Sequence, residues 1–180
     1  MNDKNISIEF HGGAEEVTGA CYLLASPEVK ILIDCGLFQG SRAMEKKNHE
    51  DFKFNPKEID AVFITHSHID HIGRLPKLVK DGFTGQIFST RPTKELATLM
   101  LEDALHFMKD PEIALYTKED IEKTLSMWHS LAYYNPKCGA YFGFGDDRGF
   151  CWRKKDSFYR GFWQCTVGTA SSARSSSRRH

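Results

Sequence analysis

The 180 residues are the length of one ordinary domain, enough to hide roughly 70% of the surface the unfolded chain exposes. Hydrophobic residues at 41% and charged residues at 27% are those of a globular protein and exclude wholesale disorder. Lys+Arg and Asp+Glu number 24 each, and zero net charge excludes the strongly basic whole-chain signature of many nucleic-acid binders, though not a local basic patch.

In chain order, Ser7–Phe10 and Cys21–Ala25 are short strand candidates separated by the Gly-rich loop GGAEEVTG. Lys30–Ile33 reads as a buried strand ending at Asp34, and Gly36 and Gly40 punctuate the loop after it. Ala61–Ile64 is another apolar, partly β-branched strand. HSHIDHIGRLPKLVKDG follows, with Gly82 closing a short helix, and Gln86–Ser89 is a further strand. Pro92 suits a first helical position, and Leu96, Leu99, Met100 and Leu105 can share a face of the helix that follows. Thr117 with Asp120 three residues on approximates a capping box for a second helix. The order predicts an α/β or mixed sandwich.

After Pro136 the agreement stops. From Cys138 onward there are eight basic and three acidic residues, aromatics at no steady period, frequent glycines and a low-complexity end, ASSARSSSRRH. Aromatics interleaved with Lys and Arg can stack bases and contact phosphates, which keeps an RNA-stacking tail open beside a plain surface region. The start, MNDKNISIEF, lacks the apolar stretch of a signal peptide, and no run approaches the ~20 residues of a membrane span. The cysteines Cys21, Cys35, Cys138, Cys151 and Cys165 form no CxxC pair. A cytoplasmic chain with reduced thiols and no membrane contact is expected; an oligomer is open.

The informative segment is His66-Ser67-His68-Ile69-Asp70-His71. Three imidazoles and a carboxylate within six residues, directly after a strand, are ligands of the type zinc takes. His66 and His68 can point to one side of a turn leaving the strand. Asp70 and His71 then fall at the start of the next helix and can address a second metal, as in two-metal hydrolases. His11, His49, His106, His129 and His180 lie outside the motif and read as surface or packed histidines, with His106 the one expected to be buried. Thr65 and Ser67 read as making local hydrogen bonds.

FITHSHIDHIGRLPKL resembles the signature of the metallo-β-lactamase-fold hydrolases. GGAEEVTGACYLL, ILIDCGLFQG and STRPTKELATLMLEDALHFM resemble the β-CASP RNA-processing branch, which includes RNase J-like nucleases and the cleavage endonuclease of mRNA 3′-end processing. The resemblance covers roughly residues 6–135 and implies an αββα sandwich, of which this chain supplies the first half. It implies that His66 and His68 ligate a first zinc and Asp70 and His71 a second. Asp70, with the metal-held water, would take part in catalysis. Asp34 would stand behind the ligands, orienting an imidazole or a loop, and Gly12 and Gly13 would form the loop passing the metals. The implied reaction is zinc-dependent phosphodiester hydrolysis of RNA, hydroxide on the metal attacking phosphorus in line; the implied partner is RNA.

The chain departs from that pattern. The family draws further ligands from a later Gly-His segment, a Thr-Gly-Asp segment and a histidine near its far end. No Gly-His pair follows residue 71 and no Thr-Gly-Asp occurs anywhere. At most two ligands per metal remain, below the three that usually hold a catalytic zinc. An active ribonuclease is therefore weighed against an inactive or weakly metal- and RNA-binding fragment, and whether the chain is itself an enzyme stays open. A small thioester hydrolase on the same fold is a third reading. The expected division is residues 1–137 as the N-terminal half of the domain and 138–180 as an aberrant, disordered tail. A shifted reading frame accounts for the tail. One permitted spelling of residues 157–171, read a nucleotide later, gives Arg-Phe-Thr-Gly-Asp-Phe-Gly-Asn-Val-Pro-Ser-Ala-Leu-Leu, with the missing Thr-Gly-Asp.

Overall fold

The computed structural model describes residues 6–108, 114–132 and 143–144. The chain divides into two units, Met1–Leu131 and Ala132–His180. Six strands are paired in chain order: β1 (Ser7–Phe10), β2 (Tyr22–Ala25), β3 (Lys30–Ile33), β4 (Ala61–Phe63), β5 (Gln86–Thr90) and β6 (Trp128–Ala132). The first two pairings are antiparallel and the next three parallel, so the sheet is mixed as the sequence predicts. A two-residue strand, β7 (Gly143–Phe144), belongs to the second unit. The expectations of disorder and of a shifted frame fall, apart from those two residues, outside the described residues.

Strand alternation sorts the side chains onto two faces. Leu23, Leu32, Val62, Ile87 and Trp128 are partners in successive pairings and form one buried row across the sheet. On the opposite face the register aligns Phe10, Tyr22, Ile33, Phe63, Phe88 and His129. There the rings of Phe63 and Phe88 stack at 5.2 Å. This second face is half-buried at its centre; at β1 it is open, with Ile8 and Phe10 exposed.

The helices cover the first face. The parallel connections all step in one direction along the sheet, and right-handed crossovers then place every connecting helix on the same side. These helices are α1 (Arg42–Lys46), α2 (Ile69–Ile72), α3 (Leu75–Lys80), α4 (Arg91–Phe107) and α5 (Lys118–Ser126). Leu75, Leu78 and Val79 of α3, Ala97 and Leu101 of α4 and Ile121 of α5 share one core with the buried strand row. Burying each of the Leu, Ile and Val side chains among them contributes about 1.5–3 kcal/mol. Helix α3 stops as the sequence predicts: Phe83 N–H donates to Leu78 O and Gly82 N–H to Val79 O, both at 3.1 Å, the paired bonds of a glycine-terminated helix. Thr117 and Asp120 make the expected capping box of α5.

Three local expectations need correction. The buried side of α4 is Thr93, Ala97 and Leu101, whereas Leu96, Leu99 and Met100 face outward. The buried residues Thr93, Ala97 and Leu101 follow one another at i, i+4, i+8, a stripe one position off the bulkier apolar row. His106 lies on the exposed side of α4. Strand β6 follows α5 after a single residue, and the sequence does not predict it, because WHSLA carries no clear alternation.

Candidate metal centre

Asp34 follows β3 and Thr65 follows β4, so both sit at the carboxyl ends of adjacent parallel strands, where open α/β sheets place their ligands. Asp34 is 1% exposed and adopts φ +59°, a left-handed conformation that Asp tolerates better than most residues. Its backbone N–H donates to Phe63 O at 2.9 Å, tying the two strand ends together.

The short helix α2 carries Asp70 and His71 and is fastened along its length. Its Ile69, Asp70 and His71 carbonyls accept from Leu37, Ala20 and Cys35 N–H at 3.0, 2.9 and 2.8 Å. These carbonyls have few partners within so short a helix, and the loops on either side of β2 and β3 supply them. The approach requires glycine at position 36: a Cβ there would lie 1.5 Å from Asp70 O. Gly12 is similarly constrained, since a Cβ would lie 2.1 Å from Gly19 O. Gly13 O accepts from the Tyr22 hydroxyl at 3.2 Å. The two glycines thus close the β1–β2 loop on itself.

Asp34 holds the cluster through both carboxylate oxygens. Oδ1 accepts from Thr65 N–H at 2.8 Å; Oδ2 accepts from the Thr65 hydroxyl at 2.8 Å and from His71 Nδ1 at 2.8 Å. Thr65 Oγ1 also lies 3.0 Å from His66 Nδ1. With both Nδ1 atoms turned to Asp34 and Thr65, His66 and His71 present their Nε2 atoms on the other side. His66 Nε2 lies 3.2 Å from His68 Nδ1, and His71 Nε2 lies 3.7 Å from Asp70 Oδ2. Burial first, then the neighbouring His71 and His68 rings, hold the His66 pKa below the ordinary histidine value, which favours the neutral ring a metal needs.

Two nitrogens on one tetrahedral zinc at about 2.0–2.1 Å stand about 3.3 Å apart. The His66–His68 pair has that separation, and Asp70 with His71 forms a second pair beside it. Among the described residues, no group of three His, Cys, Asp or Glu side chains is disposed to hold an ion. The described donors are thus two close pairs, His66 with His68 and Asp70 with His71. Thr65 is the residue the sequence reading undervalued: its hydroxyl joins Asp34, which lies 31 positions away, to the adjacent histidine.

No helix among the described residues is long and apolar enough to cross a membrane. The metallo-beta-lactamase superfamily model matches residues 14–143. Ribonuclease TTHA0252 of Thermus thermophilus is 46% identical over 122 residues, spanning 68% of this chain and 27% of that protein. Transcription termination factor FttA of Methanocaldococcus jannaschii is 38% identical over 121 residues, 65% of this chain and 19% of the relative. Cleavage and polyadenylation specificity factor 73 of Drosophila melanogaster is 33% identical over 128 residues, 70% of this chain and 19% of the relative. The chain therefore spans about a quarter or less of the length of these proteins. With the model matching most of its length and a mixed sheet carrying the HxHxDH segment at its carboxyl edge, the chain belongs to the metallo-β-lactamase superfamily.

Proposed function

We propose that this chain is the ligand-bearing part of a zinc-dependent phosphodiester hydrolase acting on RNA in the cytoplasm. The observation that carries the reading is the Asp34–Thr65 pair, which turns Nδ1 of His66 and of His71 away and leaves two Nε2 donors beside His68 Nδ1 and the Asp70 carboxylate. Names of relatives support the substrate class: a ribonuclease, a transcription termination factor and a cleavage and polyadenylation factor.

His66 and His68 would hold one zinc, and Asp70 and His71 a second. Zinc bound there would supply Lewis acidity to activate water and positive charge to neutralise phosphoryl oxygens. The protein's share is positional. Asp34 fixes the ring of His71, Thr65 spans Asp34 and His66, and the three carbonyl anchors of α2 hold Asp70 and His71 over the strand ends. Such preorganisation matters because a donor held in place needs no reordering when the ion or substrate arrives.

With two donors per metal, the 180 residues alone bind zinc weakly and do not cleave RNA. The test is a single-stranded RNA cleavage assay in zinc, comparing the chain with a His66→Ala, Asp70→Ala control. The expected result is no cleavage above the control. Turnover that vanishes in the control would mean that these residues suffice for an active enzyme.

A further inference from the structure

We propose that Thr65 is a positioning residue that sets the tautomer of His66. The Thr65 hydroxyl has one proton and two neighbours able to take it. Asp34 Oδ2 lies 2.8 Å away and His66 Nδ1 lies 3.0 Å away. The bond to the buried carboxylate is charge-assisted, so the proton goes to Asp34. Oγ1 is then an acceptor facing His66 Nδ1, and the ring must carry its proton there. His66 Nε2 is left with its lone pair toward His68 Nδ1.

His71 does not depend on Thr65 in this way, because its Nδ1 donates directly to Asp34 and lies 3.4 Å from Thr65 Oγ1. His66 has no such direct bond to Asp34 among the described residues; Asp34 reaches it through the threonine alone. The β-branched threonine suits the task, since its restricted χ1 keeps the hydroxyl between the two partners. That His66 Nε2 faces a metal rests on the function proposed above; the tautomer does not.

The experiment is nitrogen-15 NMR of the metal-free chain above the imidazole titration range, with His66 assigned by its loss in His66→Gln. The expected result is His66 protonated at Nδ1 in the parent, a shift toward Nε2 protonation in Thr65→Val, and restoration in Thr65→Ser. If the valine variant fails to fold, Thr65→Ala carries the same comparison. Unchanged Nδ1 protonation in the valine or alanine variant overturns the proposal, as does a serine variant that behaves like valine. Zinc titration follows: affinity should fall about 10- to 100-fold in Thr65→Val and stay near the parent in Thr65→Ser. A tautomer shift in a chain that binds no zinc keeps the proposal and rejects the metal reading. Zinc held by a chain whose tautomer ignores Thr65 does the reverse.

Discussion

Two buried polar clusters flank the same loops and are built on opposite principles. Around Asp34, each carboxylate oxygen accepts a hydrogen bond, and the donors belong to Thr65 and His71. Around Arg74, polar atoms are buried without completion. The guanidinium donates through Nε to Gly36 O and lies over the Phe38 ring at 4.4 Å, but one of its terminal nitrogens has no hydrogen-bond partner among the described residues. Nearby, His11 Nε2 lies 3.3 Å from a Glu9 carboxylate oxygen, and its Nδ1 has no hydrogen-bond partner among the described residues. One carboxylate oxygen of Glu16 also has no hydrogen-bond partner among the described residues, while the other pairs with Lys47. A satisfied network rigidifies its members, and an unsatisfied one costs stability. The comparison teaches that burial alone does not tell the two clusters apart; the completeness of their bonding among the described residues does.

The largest effect should come from Gly36→Ala. The added Cβ would meet backbone atoms only, at 1.5 Å from Asp70 O and 2.7 Å from His71 N, so no rotamer relieves it. Helix α2 must shift, at about 3 kcal/mol, and chemical denaturation should show that loss together with loss of zinc binding. A variant of parental stability would mean that α2 is not anchored as described. Asp34→Asn comes next. Asn tolerates the left-handed backbone, but its amide places a donor against donors from Thr65 or His71. A loss of about 2 kcal/mol is expected, the scale of a hydrogen bond to a buried charge; a neutral result would remove the distinction between the clusters.

Arg74→Met should cost about 1 kcal/mol or less. It gives up the bond to Gly36 O but also removes a buried unpartnered nitrogen, and methionine still packs against Phe38 and Phe52. A penalty equal to that of Asp34→Asn would show that the guanidinium does more than pack.

The smallest effect is in pH. Burial holds the His11 pKa below its ordinary value against the opposing pull of Glu9, and burial with Lys94 does the same for His129. The folded protein therefore prefers both rings neutral. Stability from this source is complete above the unfolded histidine pKa of about 6.5 and erodes as pH falls through it toward the lowered folded values. Urea midpoints in chelator should be lower at about pH 5.5 than at about pH 7.5; a midpoint rising toward acid would contradict that sign.

The sequence by itself determined the strands up to β5, the cap of α5, the stop of α3 and the membership of the HxHxDH cluster. All rest on short-range chemistry: strand alternation, capping side chains, a glycine after a helix, and ligand types within six residues. Tertiary structure alone decided the rest. Which side of α4 is buried, Thr93, Ala97 and Leu101 and not the bulkier apolar row, was decided by its packing in the fold, which periodicity alone does not contain. Strand β6 exists because Ile87, Phe88, Ser89 and Thr90 offer a parallel edge to pair with. Thr65 gained its place in the centre only when β3 and β4 came side by side and brought Asp34 within 2.8 Å of its hydroxyl. Local sequence can assign a residue its chemistry; the partner that uses that chemistry was 31 residues away, and only the folded sheet brings them together.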